Sequence, residues 1–146
     1  MCIRDSSIAI ANGFNVLQTS LETVPNYQGG VFAAGRAWAV EHPDSVDAFI
    51  RGYLAGLDWT LTPGNYEAGK DILLANMPAI KPGVADAVVT KLLNPATGLT
   101  PGGQVDTAGI ETVLGLRSRY ATPSKRLSDP SPYLDLSYLQ RAKEVD

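Results

Sequence analysis

The only histidine of the chain has neighbours that could support chemistry. His42 stands between Glu41 and Asp44, with a proline directly after it, and an imidazole beside carboxylates can act as a general base or as a metal ligand. No second histidine is present to complete a metal site, and a proline followed by an aspartate is typical of the start of a helix. We therefore expect a structural or solvated role for His42.

No other set of residues indicates a reaction. The sequence has no Ser-His-Asp order, no phosphate-binding loop and no paired-carboxylate motif. Its single cysteine, Cys2, excludes a disulfide framework and a thiolate metal site built from this chain. We predict no catalytic residues, no metal and no cofactor, and we expect that the protein is not an enzyme.

Length and charge narrow the class of protein. The 146 residues suit one domain, and no run approaches the roughly 18 to 20 apolar residues that span a bilayer. The net charge is -3, and the 12 basic residues are scattered along the sequence, whereas a nucleic-acid binder usually shows a basic stripe. We expect no nucleic-acid partner.

The first six residues are predicted to be an artefact. MCIRDS back-translates to ATG TGT ATA AGA GAC AG plus one base, which is the transposon end used to build shotgun sequencing libraries. On this interpretation residues 1–6 derive from an adapter, Cys2 is not part of the natural protein, and the absence of an export signal carries no information about the compartment. We expect the natural sequence to begin upstream.

Hydrophobic periodicity predicts helices over most of the chain. The strongest pattern lies in residues 43–60, where Pro43 suits a first helical turn. Its apolar face comprises Val46, Phe49, Ile50, Tyr53, Leu54 and Leu57. Four further helices are predicted: Pro63 to Met77 with Thr62 as N-cap, Pro82 to Leu92, and one each after the N-caps Asp106 and Asp135.

The first part of the chain has a different character. Residues 8–11 predict the tail of a helix that is closed by Asn12-Gly13 in the left-handed conformation. Residues 14–17 and 31–34 are short apolar runs, which predict strands. Two buried strands cannot form a sheet that covers five helices, so the pattern predicts that their sheet partners lie upstream.

The order of several short motifs resembles one protein family. GFNVL at 13–17 is followed by YQGGVFAAGRAWAVEHPDSVDAFIRGYLAGLDW at 27–59, TPGN at 62–65, LGLRSRY at 114–120 and DPSPYLDLSY at 129–138. Each motif alone is weak. Their order and spacing resemble the C-terminal half of the substrate-binding proteins of ABC transporters, in the group that contains the nitrate, sulfonate, taurine and thiamine-precursor binders.

The resemblance implies an α/β fold. In the type II periplasmic-binding-protein fold two lobes close over a ligand, and this chain would be a mostly helical C-terminal fragment with two or three short strands. Residues 7–24 would be the end of the second lobe and the approach to the hinge, and residues 25–146 would be the returning hinge and the C-terminal part of the first lobe.

The resemblance also implies a function. Such a protein captures a small, often anionic solute and delivers it to the permease of an importer, in the periplasm or anchored at the extracellular surface; it would meet the membrane only through the permease or an upstream lipid anchor. One alternative is an enzyme similar to the thiamine-pyrimidine synthases, with a cysteine-rich iron motif upstream. Another is a binding lobe fused to a sensor or regulator, with further chain after Asp146.

Carried over by position, three residues at the returning hinge become candidates to line the ligand cleft. Tyr27 offers an aromatic face, Gln28 an amide donor and acceptor, and Gly29 a backbone without a side chain. A structural alternative is that Tyr27 packs at the lobe junction, while Gly29 and Gly30 act as conformational hinges.

The remaining candidates have structural explanations beside functional ones. Trp38 and Trp59 could stack on a ligand, but their places beside the helix at 43–60 favour packing. Arg117 and Arg119 suit the negative end of a helix dipole, and a docking role is the alternative. Four acids are expected on solvated faces, with a basic patch of a permease as the alternative partner: Asp44, Asp47, Glu67 and Asp71.

Overall fold

All regular secondary structure in the described part of the protein is helical. The computed structural model describes the backbone of residues 3–144 and the side chains of residues 5–144, so Met1 and Cys2 of the predicted adapter lie outside the described residues. Within these bounds the α-helices are α1 (Ile3–Ala11), α2 (Ser20–Thr23), α3 (Arg36–Glu41), α4 (Pro43–Leu61), α5 (Tyr66–Asn76), α6 (Pro82–Leu92), α7 (Thr107–Tyr120) and α8 (Ser137–Glu144). Short 3₁₀ turns lie at Pro63–Asn65, Pro101–Gly103 and Ser131–Tyr133.

The α/β fold class predicted from the sequence is wrong. No residue from 3 to 144 lies in a strand, and 64% of the structure is helical. The runs at residues 14–17 and 31–34, which were expected to be strands, have no regular secondary structure. An apolar run becomes a strand only when a second strand pairs with it, and the described part of the chain supplies no such partner.

The helix predictions fare better than the strand predictions. The helices expected at 43–60 and from Pro82 to Leu92 are confirmed as α4 and α6. The left-handed closure of α1 is also confirmed, because Gly13 has a φ of 85° and its N–H donates to the carbonyl of Ile10. The predicted Thr62 cap is wrong, since its hydroxyl donates back to the carbonyl of Asp58 in α4.

The chain divides into two compact units. Unit 1 comprises residues 1–20 and 54–104, and unit 2 comprises residues 21–53 and 105–146. The division falls inside α4, between Tyr53 and Leu54. The described part of the chain contains no helix that is both long and apolar enough to cross a membrane.

The core of unit 1 forms between α5 and α6. Its buried centre consists of Ile80, Ala85 and Val88. Ala85 and Val88 lie three positions apart on one face of α6, and Ile80 lies in the segment that leads into α6. Five half-buried apolar side chains pack around this centre: Leu73, Leu74, Met77, Val84 and Leu92. The hydrophobic effect of this small cluster is what holds α5 against α6.

Polar contacts accompany this packing. Lys70 of α5 makes ion pairs with Glu67 at 2.7 Å and with Asp86 of α6 at 3.0 Å, and the hydroxyl of Tyr66 donates to the Asp86 carboxylate at 3.3 Å. The hydrogen bonds that Lys70 donates to Glu67 and Asp86 raise the pKa of Lys70, and the bond from Lys70 lowers the pKa of Asp86. On the other side of α6, Lys91 donates at 3.1 Å to the buried hydroxyl of Ser7 in α1.

In unit 2, α7 supplies three of the five buried residues that the structure describes. The buried residues of α7 are Gly109, Ile110 and Leu114. Their i, i+1, i+5 spacing places them on one face of the helix. Ala142 of α8 is also buried. Arg141 of α8 binds Asp47 of α4 through two parallel hydrogen bonds, Nη2 to Oδ1 at 2.9 Å and Nε to Oδ2 at 3.2 Å, so a bidentate ion pair joins these two helices.

Replacement of Ile80 by alanine should destabilise the protein strongly. Ile80 is only 3% exposed, so the truncation leaves a cavity in the unit 1 core and should lower the free energy of unfolding by about 2 to 5 kcal/mol. The matched control is Ile72→Ala in α5, where the isoleucine is 54% exposed and the expected change is within about 0.5 kcal/mol. Urea unfolding followed by circular dichroism measures both; equal losses would contradict the assigned core.

Acid should weaken the fold through carboxylates whose pKa values are lowered in the folded state. Hydrogen bonds from Ser137 lower the pKa of Asp135, and hydrogen bonds from Ser131 do the same for Asp129. A lowered folded pKa gives stability that is present above the unfolded value, about 4, and is lost as the pH falls through the folded value. We expect Asp135→Asn to reduce the acid dependence of urea unfolding between about pH 5 and 2, relative to the wild type.

The control for this measurement keeps the carboxylate. Ser137→Ala removes the hydroxyl that donates to Asp135 at 2.6 Å but leaves the backbone N–H donor at 3.1 Å. Its acid dependence should lie between those of the wild type and Asp135→Asn, because the hydroxyl hydrogen bond that lowers the pKa of Asp135 is removed while the backbone hydrogen bond remains. An unchanged acid dependence in both variants would rule out this explanation.

Candidate functional site

The candidate ligand residues lie in an irregular segment of unit 2, residues 27–30, which we call the elbow. The side chain of Gln28 fixes it in two directions: Nε2 donates to the carbonyl of Gly30 at 2.8 Å, and Oε1 accepts from the backbone N–H of Asp106 at 3.0 Å. The second bond spans 78 residues of sequence. A half-buried Gln28 therefore attaches the elbow to the residue that immediately precedes α7.

A glycine in the first turn of α7 makes room for this attachment. A Cβ added at Gly109 would lie 2.7 Å from the backbone nitrogen of Gln28 and 3.2 Å from its Cβ, and the first of these separations is shorter than van der Waals contact allows. The same Cβ would lie 3.0 Å from a carboxylate oxygen of Asp106. The elbow thus packs directly on the backbone of α7, which only a glycine permits.

Tyr27 is presented on the surface of the elbow. Its ring is 53% exposed and lies against Gly29, where an added Cβ would be 3.4 Å from the ring carbon Cε1 and 3.5 Å from Cδ1. At Gly30 an added Cβ would meet nothing within 4 Å. The elbow therefore offers an exposed aromatic face and, beside it, backbone without a covering side chain.

The amide of Gln28 has only part of its hydrogen-bonding capacity left for a ligand. A primary amide has two N–H donors and two acceptor lone pairs, and one of each is used within the elbow and with Asp106. The structure thus brings Tyr27, Gln28 and Gly29 together, with Tyr27 and Gly29 open to solvent and Gln28 half-buried and partly occupied.

An exposed aromatic cluster follows the elbow in the chain. Phe32 is 68% exposed and makes edge-to-face contacts with two residues of α4, Phe49 at 5.0 Å and Tyr53 at 4.9 Å between ring centroids. Phe49 and Tyr53 were predicted on the apolar face of this helix, and both remain exposed. These contacts attach the segment after the elbow to α4 without burying the rings.

His42 takes a structural position. Its backbone N–H donates to the carbonyl of Trp38 and closes α3, and its exposed ring lies 5.0 Å from the Trp38 ring. Among residues 3–144 no group of three or more histidine, cysteine or acidic side chains could hold a metal ion. Packing was expected for the tryptophans, but Trp38 is 49% and Trp59 is 39% exposed, so neither belongs to a core.

The predicted acids divide into paired and solvated residues. Asp47 was expected on a solvated face, and this expectation is wrong because it holds Arg141. Glu67 pairs with Lys70. Asp44 and Asp71 are exposed, as expected. Arg117 and Arg119 lie in the last turn of α7, where cations interact favourably with the helix dipole.

Two concave surfaces lie in unit 1, and the elbow lines neither of them. One cavity, of about 250 Å³, lies between α1 and the segment that follows it and is lined by Ala9, Ile10, Phe14 and Leu17 among others. A second, of about 360 Å³, is lined by Ile8, Lys81 and Val84 among others. Neither brings together the nucleophile, base and acid that a reaction would require.

Two parts of the elbow's support were not predicted from the sequence. Gly109 could have been suspected, because a glycine in a helix costs about 1 kcal/mol relative to alanine and often marks a close packing contact. The acceptor role of Gln28 toward Asp106 has no local signal, since the two residues are joined only by the fold.

No protein family, no curated protein and no solved structure matches this chain. The resemblance to substrate-binding proteins therefore depends on the motifs in the sequence alone.

Replacement of Gly109 by alanine should detach the elbow. The new Cβ would overlap the Gln28 backbone nitrogen at 2.7 Å, and the resulting strain should cost about 1 to 3 kcal/mol despite the better helix propensity of alanine. The matched control is Gly115→Ala in the same helix, where the added Cβ meets nothing within 4 Å; it should be neutral or stabilise by up to about 1 kcal/mol. Urea unfolding of both variants measures the difference, and a stabilising Gly109→Ala would disprove the contact.

Proposed function

We propose that this chain is part of the substrate-binding component of an ABC importer, which captures a small solute and delivers it to a permease. The order and spacing of five motifs over residues 13–138 support this function. The α/β fold class expected from the same motifs is wrong for the described residues, and it is not part of the proposal. The protein would work in the periplasm or at the extracellular surface.

The observation that carries the proposal is the fixed elbow with its exposed tyrosine. Gln28 and Gly109 hold the elbow on α7, so the exposed ring of Tyr27 has a defined place instead of moving with a free loop. Binding sites for small solutes combine an apolar or aromatic surface with a few oriented polar groups. Tyr27 supplies the first, and the remaining amide capacity of Gln28 and the open backbone at Gly29 supply the second.

A fixed side chain binds more tightly than a mobile one because less conformational entropy is lost when the ligand arrives. The elbow meets this condition through two hydrogen bonds and one close backbone contact. It contributes no charged group of its own, so an anionic ligand would depend on N–H donors from this backbone and from other parts of the binding component.

A ligand panel on the protein produced from its complete gene tests the function. Nitrate, taurine, an alkanesulfonate and a pyrimidine precursor of thiamine are the probes, and one of them should raise the unfolding midpoint by about 5 °C or more at 100 times its Kd. Tyr27→Ala should weaken that binding about tenfold through the loss of aromatic contact. Tyr133→Ala is the matched control, because Tyr133 is similarly exposed at 58% and should leave Kd unchanged.

The genes that flank the complete gene provide an independent test. An importer component should be encoded beside a permease or an ATPase, and its own gene should begin with an export or lipoprotein signal. If no probe binds and neither neighbour is present, the proposal fails. A cysteine-rich iron motif without an export signal would replace it with the enzyme alternative.

A further inference from the structure

The end of α7 and the loop after it carry a concentration of positive charge. Arg117, Arg119, Lys125 and Arg126 account for four of the 12 basic residues within ten positions, and no acid lies between Glu111 and Asp129. The net charge of the chain is -3, so the remainder of the chain is clearly acidic. The basic residues are therefore concentrated in this segment and are not evenly scattered along the sequence. We call these four residues the basic patch.

One serine brings the two halves of the basic patch together. Ser118 Oγ accepts from the backbone N–H of Leu127 at 2.8 Å and lies 3.3 Å from the Leu127 carbonyl, while also donating to the carbonyl of Leu114 at 2.8 Å. The loop at 121–127 is thus folded back on the last turns of α7. As a result the backbone of Leu127, which directly follows Arg126, lies against Ser118, which directly precedes Arg119.

The cations of the basic patch have no acidic partner among residues 5–144, whereas two other described cations are held in ion pairs. Arg119, Lys125 and Arg126 are exposed and Arg117 is half-buried. The one ring contact is between the Arg119 guanidinium and Tyr120, at 5.2 Å from the ring centroid. Tyr120 itself is 69% exposed.

We propose that the basic patch, together with Tyr120, is a docking surface for an acidic segment of a partner protein. Three of the four cations are arginines, and the planar guanidinium binds carboxylates through two parallel hydrogen bonds. Unit 2 contains an example of this geometry in the Arg141–Asp47 pair. Arginine and tyrosine are also the residue types that contribute most to protein–protein interfaces.

Two other anionic partners fit this surface less well. Within residues 119–126 Tyr120 is the one large apolar side chain, whereas a membrane-surface segment combines its cations with a continuous apolar face. Four cations are few for a nucleic acid, because its affinity depends on the number of phosphates that the protein neutralises. A short run of carboxylates matches both the size of the basic patch and the chemistry of its arginines.

The test uses the full chain and a fluorescein-labelled peptide rich in glutamate, with a peptide of the same length in which glutamine replaces every glutamate. Fluorescence anisotropy should show tighter binding of the glutamate peptide, and this binding should weaken as the salt concentration rises from about 0.05 to 0.5 M. Charge reversal by Arg119→Glu, Lys125→Glu and Arg126→Glu together should weaken it by about tenfold or more.

A matched variant separates the basic patch from net charge. Arg51→Glu, Lys81→Glu and Lys143→Glu change the charge by the same amount at exposed positions elsewhere and should leave the affinity within about twofold. If the charge-reversal variant does not fold, the corresponding triple glutamine variant replaces it, and circular dichroism checks the folding of each protein. The proposal is overturned by equal binding of both peptides, by equal losses in the two triple variants, or by binding to vesicles that contain phosphatidylserine without binding to the glutamate peptide.

Discussion

The Gln28 side chain is the interaction on which the candidate site depends. Its Nε2 donates to the carbonyl of Gly30 in the elbow, and its Oε1 accepts from the backbone N–H of Asp106, which precedes α7. The local conformation of the elbow and its position on the helix are therefore set together. A neutral hydrogen bond contributes about 0.5 to 1.5 kcal/mol net, and the two bonds of Gln28 together favour the bound arrangement. This arrangement requires glycine at position 109, because any side chain there would overlap the backbone of Gln28.

Local pattern predicted the helices well because their signals lie within a few residues. Pro43 and Pro82 predict helix starts, and α4 and α6 begin there. Gly13 predicts a helix end, and it closely follows the end of α1. Strand pairing and side-chain contacts are decided by residues that are far apart in sequence. The run at 31–34 has a strand-like composition but no partner strand among the described residues. Local pattern does not distinguish an apolar run that has a partner strand from one that has none.

The candidate site follows the same division. That Tyr27, Gln28 and Gly29 lie together was evident from their adjacency, and the exposure of Tyr27 suits the predicted role. The contact of Gln28 with Asp106 and the pairing of Asp47 with Arg141 span 78 and 94 residues, so the sequence could not predict them. Asp47 illustrates the physical reason, since an acid on the outer face of a helix is solvated unless another element brings a cation to it.

The two surfaces proposed for unit 2 share one support. The elbow lies on α7 at Gly109, and the loop of the basic patch is held on α7 by Ser118. These positions are nine residues apart, or about 14 Å along a helix axis at 1.5 Å per residue. Ile110 and Leu114, which lie between them, are buried and anchor the helix. Gly115 is exposed and lies off this buried stripe. Because a packed helix transmits displacement more readily than a loop, disruption of the stripe itself should disturb the elbow and the basic patch together.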